Sequence, residues 1–528
     1  MTTSTRLRKA MERVAQYYET LASEQSKLNK AGYHQLDNER LQIMHVLTEC
    51  KGQEKWETVQ SFAWTLANDN SFLRMRGYWT DLVIAIEAGL LAARQLNQHQ
   101  NESLFLGYFG VAYNDLGQAK KAIIYHQQAL VIDKEIGYRQ GECSHLGNLA
   151  LCYRDLGKME EAIEYYQQAI VIAREIGQKK TEGNCLSNLG NVYRTLGLVE
   201  KAIECYQQAL TIAREIKDRK GEGNRLGNLG LVYRAIGQGD EGIKCFQQAL
   251  AIAQEIGDYQ MESNSFGNLG NAFHSLGKID EAIEYYQQAL IMTEKMGYSQ
   301  GEGSHLSNLG NVYRNIGQVE KAINYYQKAL AIDKRIGYRQ GEAADWGNLG
   351  DAYWDLGQVE KSIEYYQQAL VITQEINHRQ GAGGHLGGLG NAYYALGQIE
   401  KAIEYYEQAL IIAREIGHRQ GEGSRLGNIG LAYYNLGQVG KAIEYYQQAL
   451  TIAQELNHPQ SKGNQLGNLG LAFRDLGKNE MAINYLNQSL AVFETINSPN
   501  VDMVRKLIND IMAESLAKSE DSNRSSSI

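Results

Sequence analysis

Residues 221–237 read GEGNRLGNLGLVYRAIG, with glycine at 221, 223, 227, 230 and 237. A glycine-rich turn ahead of a helix can aim backbone N–H groups at a phosphate, so nucleotide binding is the first chemistry to test. Thiol and imidazole chemistry come next. The six cysteines, Cys50, Cys143, Cys152, Cys185, Cys205 and Cys245, form no CxxC pair, and the eleven histidines form no H-E-x-x-H. Such spacing offers no metal-ligand set and no thiol pair; the cysteines read as small core or surface residues in a reducing compartment. His145, His305 and His385 recur at one spacing, yet equivalent places carry cysteine, arginine, serine or aspartate. The expectation is no catalytic residue, no metal, no cofactor.

The glycine stretch loses its nucleotide reading once the elements around it are laid out. It recurs with a period of 40 and no insertions, in units beginning at Leu106, Leu146, Leu186, Leu226, Phe266, Leu306, Trp346, Leu386, Leu426 and Leu466. A dinucleotide fingerprint follows a strand and occurs once in its βαβ unit. This one follows an amphipathic helix in every unit, and no G-x-x-x-x-G-K-[ST] occurs anywhere. Its glycines are expected at helix ends and where helix backbones approach too closely for a side chain.

Each unit holds two helical patterns. Leu186, Leu189, Tyr193 and Leu196 fall on one face of a first helix, and Ala202, Ile203, Tyr206, Ala209, Leu210, Ala213 and Ile216 on one face of a second. Gly197 separates them. The second helix stops at Gly137, Gly177, Gly257, Gly297, Gly337 and Gly417, or at Asn377, Asn457 and Asn497, the residues best suited to the left-handed residue that ends a helix. Lys217 takes that place once, which predicts a less sharply defined end.

The stretch LSNLGNVYRTLGLVEKAIECYQQAL resembles a tetratricopeptide repeat, with Leu189, Gly190, Tyr193, Gly197, Ala202, Tyr206 and Ala209 at the family's signature places. Every unit lacks the family's closing proline and carries six added residues. It is similar in this to the 40-residue subclass of kinesin light chains and bacterial regulatory proteins. The resemblance implies an all-α fold, a right-handed superhelical solenoid of antiparallel helix pairs. The chain is expected to divide into an N-terminal helical cap (1–65), a degenerate repeat (66–105), ten repeats (106–500), a capping helix (501–518) and a disordered tail (519–528). Within the cap, helices are expected over 4–29, 36–50 and 54–72. In the degenerate repeat Leu82 stands where a small alanine belongs. The segment from Leu36 to Trp79 also resembles the helical stretch that precedes the repeat sensor in bacterial signal-transduction ATPases, whose nucleotide-binding domain this sequence does not contain.

A net charge of −9 gives no bulk attraction to nucleic acid or to an anionic membrane. No apolar run approaches the roughly 18 residues that span a bilayer, and the N-terminus lacks a signal-peptide core. A cytoplasmic protein is expected.

The second helices show solvent an ordinary mixture of lysine, glutamate and glutamine. The first helices carry a polar but mostly uncharged stripe, which in the resembled family lines the concave surface and holds peptides. One column of it is Asn148, Asn188, Asn228, Asn268, Asn308, Asn348, Asn428 and Asn468, broken by Tyr108 and Gly388. Three positions on stand Asn191, Asn271, Asn311, Asp351 and Asn391, with leucine in several other units. A carboxamide both donates and accepts, so a ladder of them suits an extended peptide backbone without selecting side chains. The alternative is that the amides bond neighbouring helices. A third column reads Arg154, Arg194, Arg234, His274 and Arg314, then Trp354, Tyr394 and Tyr434, then Arg474. Arginine grips carboxylates and the aromatics supply anchoring area, so an extended ligand with acidic and apolar stretches would fit. The arginines have a rival use in pairing with aspartates such as Asp155, Asp355 and Asp475.

The sequence therefore predicts a non-enzymatic scaffold that binds a protein or peptide, as the recognition arm of a bacterial-type signalling system. Two alternatives are a single-strand RNA-binding repeat protein, which the negative charge disfavours, and a structural scaffold that assembles with itself.

Overall fold

The computed structural model describes residues 30–68, 71–75 and 77–525, and every regular element among them is helical. The helix expected over 4–29 lies outside the described residues. Helices Lys30–Gly52 and Trp56–Ala67 come first, then the short Phe72–Met75 and Trp79–Gln95. Trp79–Gln95 packs on Trp56–Ala67 around Phe62, Leu66, Leu82 and Ile86, so the bulky Leu82 is absorbed in the core. Helix pairs then repeat every 40 residues, from His99–Asp115 with Ala119–Ile136 to Pro459–Asp475 with Asn479–Thr495. Each pair begins upstream of the Leu-Gly motif, at His99 rather than Leu106, for example. The chain divides into two compact units, Met1–Met261 and Glu262–Ile528. Val501–Ser525 closes the second, burying Val504, Ile508 and Ile511 against Leu486 and Phe493. That helix runs past residue 518, where the sequence predicts its end.

Several glycines of the recurrent motif lie inside the first helices and serve as recesses, while its last, Gly237 at φ 79°, follows the helix end. Tyr206 on a second helix is fully buried with its ring on Gly190, where a Cβ would stand 2.8 Å from Cε1. The same lock joins Gly310 to Tyr326 and Gly390 to Tyr406, with 2.5 Å to the hypothetical Cβ in each. The motif's other glycine receives a side chain from the following first helix: Gly107 takes His145, Gly267 takes His305 and Gly347 takes His385, at 2.5–2.6 Å. Alanine at these positions would overlap the inserted ring. Steric recess, not phosphate binding, accounts for the motif.

Tyrosine is plentiful because many pairs use it twice. Beside the inserted ring, a second tyrosine stacks across the pair: Tyr313 on Tyr325 at 5.3 Å, Tyr353 on Tyr365 at 4.9 Å, Tyr393 on Tyr405 at 5.2 Å. Lys321 and Lys401 lie over the first-helix rings of such stacks, Tyr313 and Tyr393, at 3.8 and 3.9 Å from the centroid. Lysine over a tyrosine face is worth roughly 0.5–1 kcal/mol at exposed sites.

The helix ends follow the sequence pattern. Gly137, Gly177, Gly257, Gly297, Gly337 and Gly417 take φ of 62–70°, and Asn377, Asn457 and Asn497 take 48–53°. Lys217 adopts the same conformation at φ 56°, and Asp218 N–H bonds Ala213 O at 2.8 Å. That end is therefore as sharp as the others, contrary to expectation: its neighbours impose the turn, and the cost appears as backbone strain. The recurrent Arg-Gln-Gly-Glu link forms straps. Glu222 accepts from Arg219 at 2.5 Å and from Arg214 of the preceding helix at 2.8 Å, while Arg219 also reaches Glu255 at 3.0 Å. Helix-start electrostatics alone would explain the glutamate, but its two arginines also tie one pair to the next.

Buried polar groups sit at the joints between pairs. Ser307 donates to Asp345, which is 1% exposed, with Asp333 nearby. Burial, reinforced by the Asp333 charge, raises the Asp345 carboxyl to about 8, and burial raises Asp333 to about 6. The folded state then holds protons that the unfolded chain releases near pH 4. Stability from this joint should fall as pH rises through 4–8, by at most about 1.4 kcal/mol per pH unit per group. Asp345→Asn, which imitates the protonated form, should flatten that decline in melting curves taken from pH 5 to 8; an unchanged slope would contradict the assignment. Independently, Lys217→Gly should raise the unfolding midpoint by relieving about 1 kcal/mol of left-handed strain, read by urea titration.

Candidate functional site

Within each compact unit the first helices lie side by side and present the amide stripe on one face. Its two asparagine columns prove different in kind. In the second column, Asn191 Oδ1 accepts from the hydroxyl of the buried Tyr206 at 2.8 Å, Asn271 from Tyr286 at 2.9 Å, Asn311 from Tyr326 at 2.8 Å, and Asn391 from Tyr406 at 2.8 Å. Asp351 does the same for Tyr366 at 2.5 Å. These residues satisfy the polar tip of the inserted ring; burial raises the hydroxyl pKa of Tyr206, Tyr326, Tyr366 and Tyr406 above the ordinary value. The sequence carries the signal for this. Where leucine or valine replaces the second-column amide, the residue fifteen on is Phe246, Leu486 or His126 in three of five cases. At Leu151 it is Tyr166, and that hydroxyl is left without a partner.

The first column is largely uncommitted. Asn148 and Asn188 in the first compact unit, and Asn268, Asn308 and Asn348 in the second, are half-buried and make no side-chain hydrogen bond among the described residues. Asn228 donates to Ser187 at a long 3.4 Å, and Asn428 to Asn391 at 3.2 Å. A primary amide with an exposed edge and no protein partner can give and take one hydrogen bond each with a passing backbone.

The third column splits. Arg314 is engaged by the following helix, with Asp355 at 2.5 Å and Asp351 at 2.9 Å; burial weakens its proton affinity, but these carboxylates outweigh it and the net shift is upward. Arg154 and Arg474 bond Asp155 and Asp475. Arg194, which sits beside the Tyr206 hydroxyl, and Arg234 make no ion pair among the described residues, so their charges are not neutralised by protein carboxylates. Tyr434 donates to Asp475 and Tyr394 accepts from Asn435. Trp354 is 36% exposed. The basic stretch read from the sequence is thus partly neutralised, and Arg314 is bound to protein carboxylates.

One buried cluster has the residue types of a catalytic triad. Ser103 Oγ lies 3.2 Å and Asp133 Oδ2 3.3 Å from His145, but both meet the same Nε2, and His145 Nδ1 faces His126 at 3.4 Å. A proton relay needs serine and aspartate on opposite ring nitrogens. Burial also holds His145 down to about 4 and His126 to about 3, so both rings are neutral at pH 7. The cluster fastens a joint. It belongs to the same mixed column as Arg225, His305, Asp345, His385 and Arg425, residues that each pair uses in its own way at its joint and whose variety hides their common placement.

Comparison with known proteins agrees with this architecture. The tetratricopeptide repeat model matches residues 141–215, 224–295, 302–375, 382–455 and 426–495. No curated protein shows significant similarity. Among solved structures, the chain is similar to the Signal Transduction ATPase with Numerous Domains with a tetratricopeptide repeat sensor from Pyrococcus horikoshii, at 16% identity and a TM-score of 0.51, over 86% of this chain and 74% of that one. It is also similar to BtubC (BKLC) from P. vanneervenii, at 20% identity and 0.39 over 42% and 92%. A third is a putative kinesin light chain from Podosopora anserina, at 22% identity and 0.34 over 38% and 98%. With the glycine recesses, inserted tyrosines and closing left-handed residues of each pair as its physical basis, the chain belongs to the tetratricopeptide repeat family.

Proposed function

We propose that this protein is a binding scaffold that holds an extended stretch of another protein against its first-helix stripe, and that it acts as the recognition arm of a signalling system. The fold is one typical of protein–protein interaction. The observation that supports the reading is the contrast between the two amide columns. Folding consumes the second, while Asn148, Asn188, Asn268, Asn308 and Asn348 stay half-exposed with no bond to the protein. Burying an amide edge in part and leaving it unbonded brings folding nothing; a backbone laid across it completes the bonds. Trp354 adds anchoring area beside the stripe in the second compact unit, and Arg194 and Arg234 offer cations in the first. The tetratricopeptide repeat sensor of the Pyrococcus horikoshii ATPase is the analogy for the signalling context.

The test uses peptides selected from a random displayed library on the full chain. Asn268→Ala, Asn308→Ala and Asn348→Ala combined should weaken the selected peptides about 100-fold, taking roughly 1 kcal/mol per lost hydrogen bond, with melting unchanged. Asn311→Ala should do the reverse: it orphans the Tyr326 hydroxyl and should cost about 1–3 kcal/mol of stability. Peptides indifferent to the triple substitution would overturn the stripe assignment.

For nucleic acid, the net charge of −9 leads to a separate expectation: no sequence-selective single-strand RNA binding at physiological salt. Submicromolar filter binding with a steep salt slope would replace the protein-partner reading.

A further inference from the structure

Arg225 and Arg425 occupy the same place in their helix pairs and meet different surroundings. Arg225 Nη2 donates to Asn184 Oδ1 of the preceding first helix at 2.6 Å, and Nη1 to Gly221 O at 3.0 Å. At Arg425 the residue in the place of Asn184 is Gly384, and the guanidinium makes no hydrogen bond or ion pair among the described residues. Its Cζ lies 2.2 Å from where a Cβ of Gly387 would stand, so the fork lies flat on that helix. Burial disfavours its charge and pulls its pKa down, with only the neighbouring Tyr406 acting the other way.

The missing side chain leaves room. A cavity of about 470 Å³ opens between helices Arg339–Asp355 and Arg379–Ala395, lined by Asn348, Asp351, Gly384, Gly388, Asn391 and Arg425 among others. That volume suits a metabolite or one large side chain. A Cβ added at Gly384 would meet nothing within 4 Å, so no close approach of another group requires glycine there. The cavity's carboxylate, Asp351, is already occupied by Tyr366 on one oxygen and Arg314 on the other. His385 is held by burial at about 4 and is neutral at pH 7. Arg425 is then the charge that the cavity presents without a partner.

We infer that this cavity is a carboxylate-binding site, in which a ligand carboxylate takes the place that the Asn184 side-chain oxygen holds on Arg225. A guanidinium matches a carboxylate with two parallel charge-assisted hydrogen bonds, and desolvation strengthens the pair. The amide of Asn348 and the Nδ2 of Asn391, whose Oδ1 is held by Tyr406 and Asn428, also line the cavity and can orient the remainder of the ligand. A free small acid or an acidic side chain of a bound peptide supplies the same group. The inference does not depend on the peptide reading, because the free acid is measured with no peptide present.

Calorimetric titration of the full chain with sodium succinate, and with N-acetyl-glutamate amide as a side-chain probe, tests it against sodium chloride at matched ionic strength. Saturable binding to one site is expected. Gly384→Asn should rebuild the Asn184–Arg225 arrangement, occupy the Arg425 guanidinium and weaken both probes at least about tenfold, while melting at or above the wild-type temperature. Arg425→Gln should weaken them as much. Tighter binding of the glutamate probe assigns the site to a peptide side chain, and tighter binding of succinate to a free acid; each supports it. No saturable binding beyond chloride, or binding that Gly384→Asn leaves intact, overturns it.

Discussion

The structure depends on one steric act: a second helix pushes an aromatic ring into the first helix at a position where a Cβ would stand. Tyr206 on Gly190 and Tyr326 on Gly310 show the lock in each compact unit. Because the recess is a single residue wide, it fixes how the two helices register. The pair cannot slide without driving the ring into a neighbour that has a side chain, and interiors packed at crystal-like density do not give way. The next pair is registered by the same device at the motif's other glycine, through His145 on Gly107 or His385 on Gly347. A chain with no insertion in 40-residue steps is what such a double lock demands.

The ring is tyrosine in most pairs, and this carries a polar consequence. A hydroxyl driven into the core needs an acceptor or costs roughly 1–3 kcal/mol. The first helix supplies one from its exposed side, at Asn191, Asn311 or Asn391. Much of the stripe's polarity is therefore a requirement of packing, and only the first column and parts of the third remain for a partner. Arg314 narrows the remainder further, since its charge is spent on Asp351 and Asp355 of the next pair.

The sequence makes the helix pairs and their ends legible because both are written in residue type: a period of 40, and glycine or asparagine at the positions of positive φ, with Glu54 and Lys217 the exceptions among the described residues. It misleads about phase, since the Leu-Gly motif sits in mid-helix and the boundary falls at residues such as His99 and Arg139, the latter serving a strap to Glu142 and Glu175 rather than the core. Lys217 misleads for a related reason, because its neighbours hold it in a conformation its own preference opposes. Asn188 and Asn191 look alike in sequence, and only the companion residue fifteen positions later distinguishes them. The column of His145, Arg225, Asp345 and Arg425 is read as noise because its residues differ. Yet a buried joint between pairs can be satisfied by any matched set of donors and acceptors, and variation there is what independent solutions look like.

That independence bears on where function can arise in a repeat array. Each pair exchanges contacts mainly with its neighbours, so a local loss is not spread along the chain. The helix Arg379–Ala395 carries glycine at 381, 383, 384, 387, 388 and 390. Most of these have a steric reason: Tyr406 lies on Gly390, Arg425 on Gly387, Ile412 near Gly383, Tyr366 against Gly388. Gly384 has none, and a mid-helix glycine costs about 1 kcal/mol relative to alanine. It also removes the oxygen that a buried guanidinium would otherwise find. Two unfavourable choices at one joint, in a chain that solves the same joint at Asn184 and Arg225, mark the place where folding requirements alone do not select the sequence.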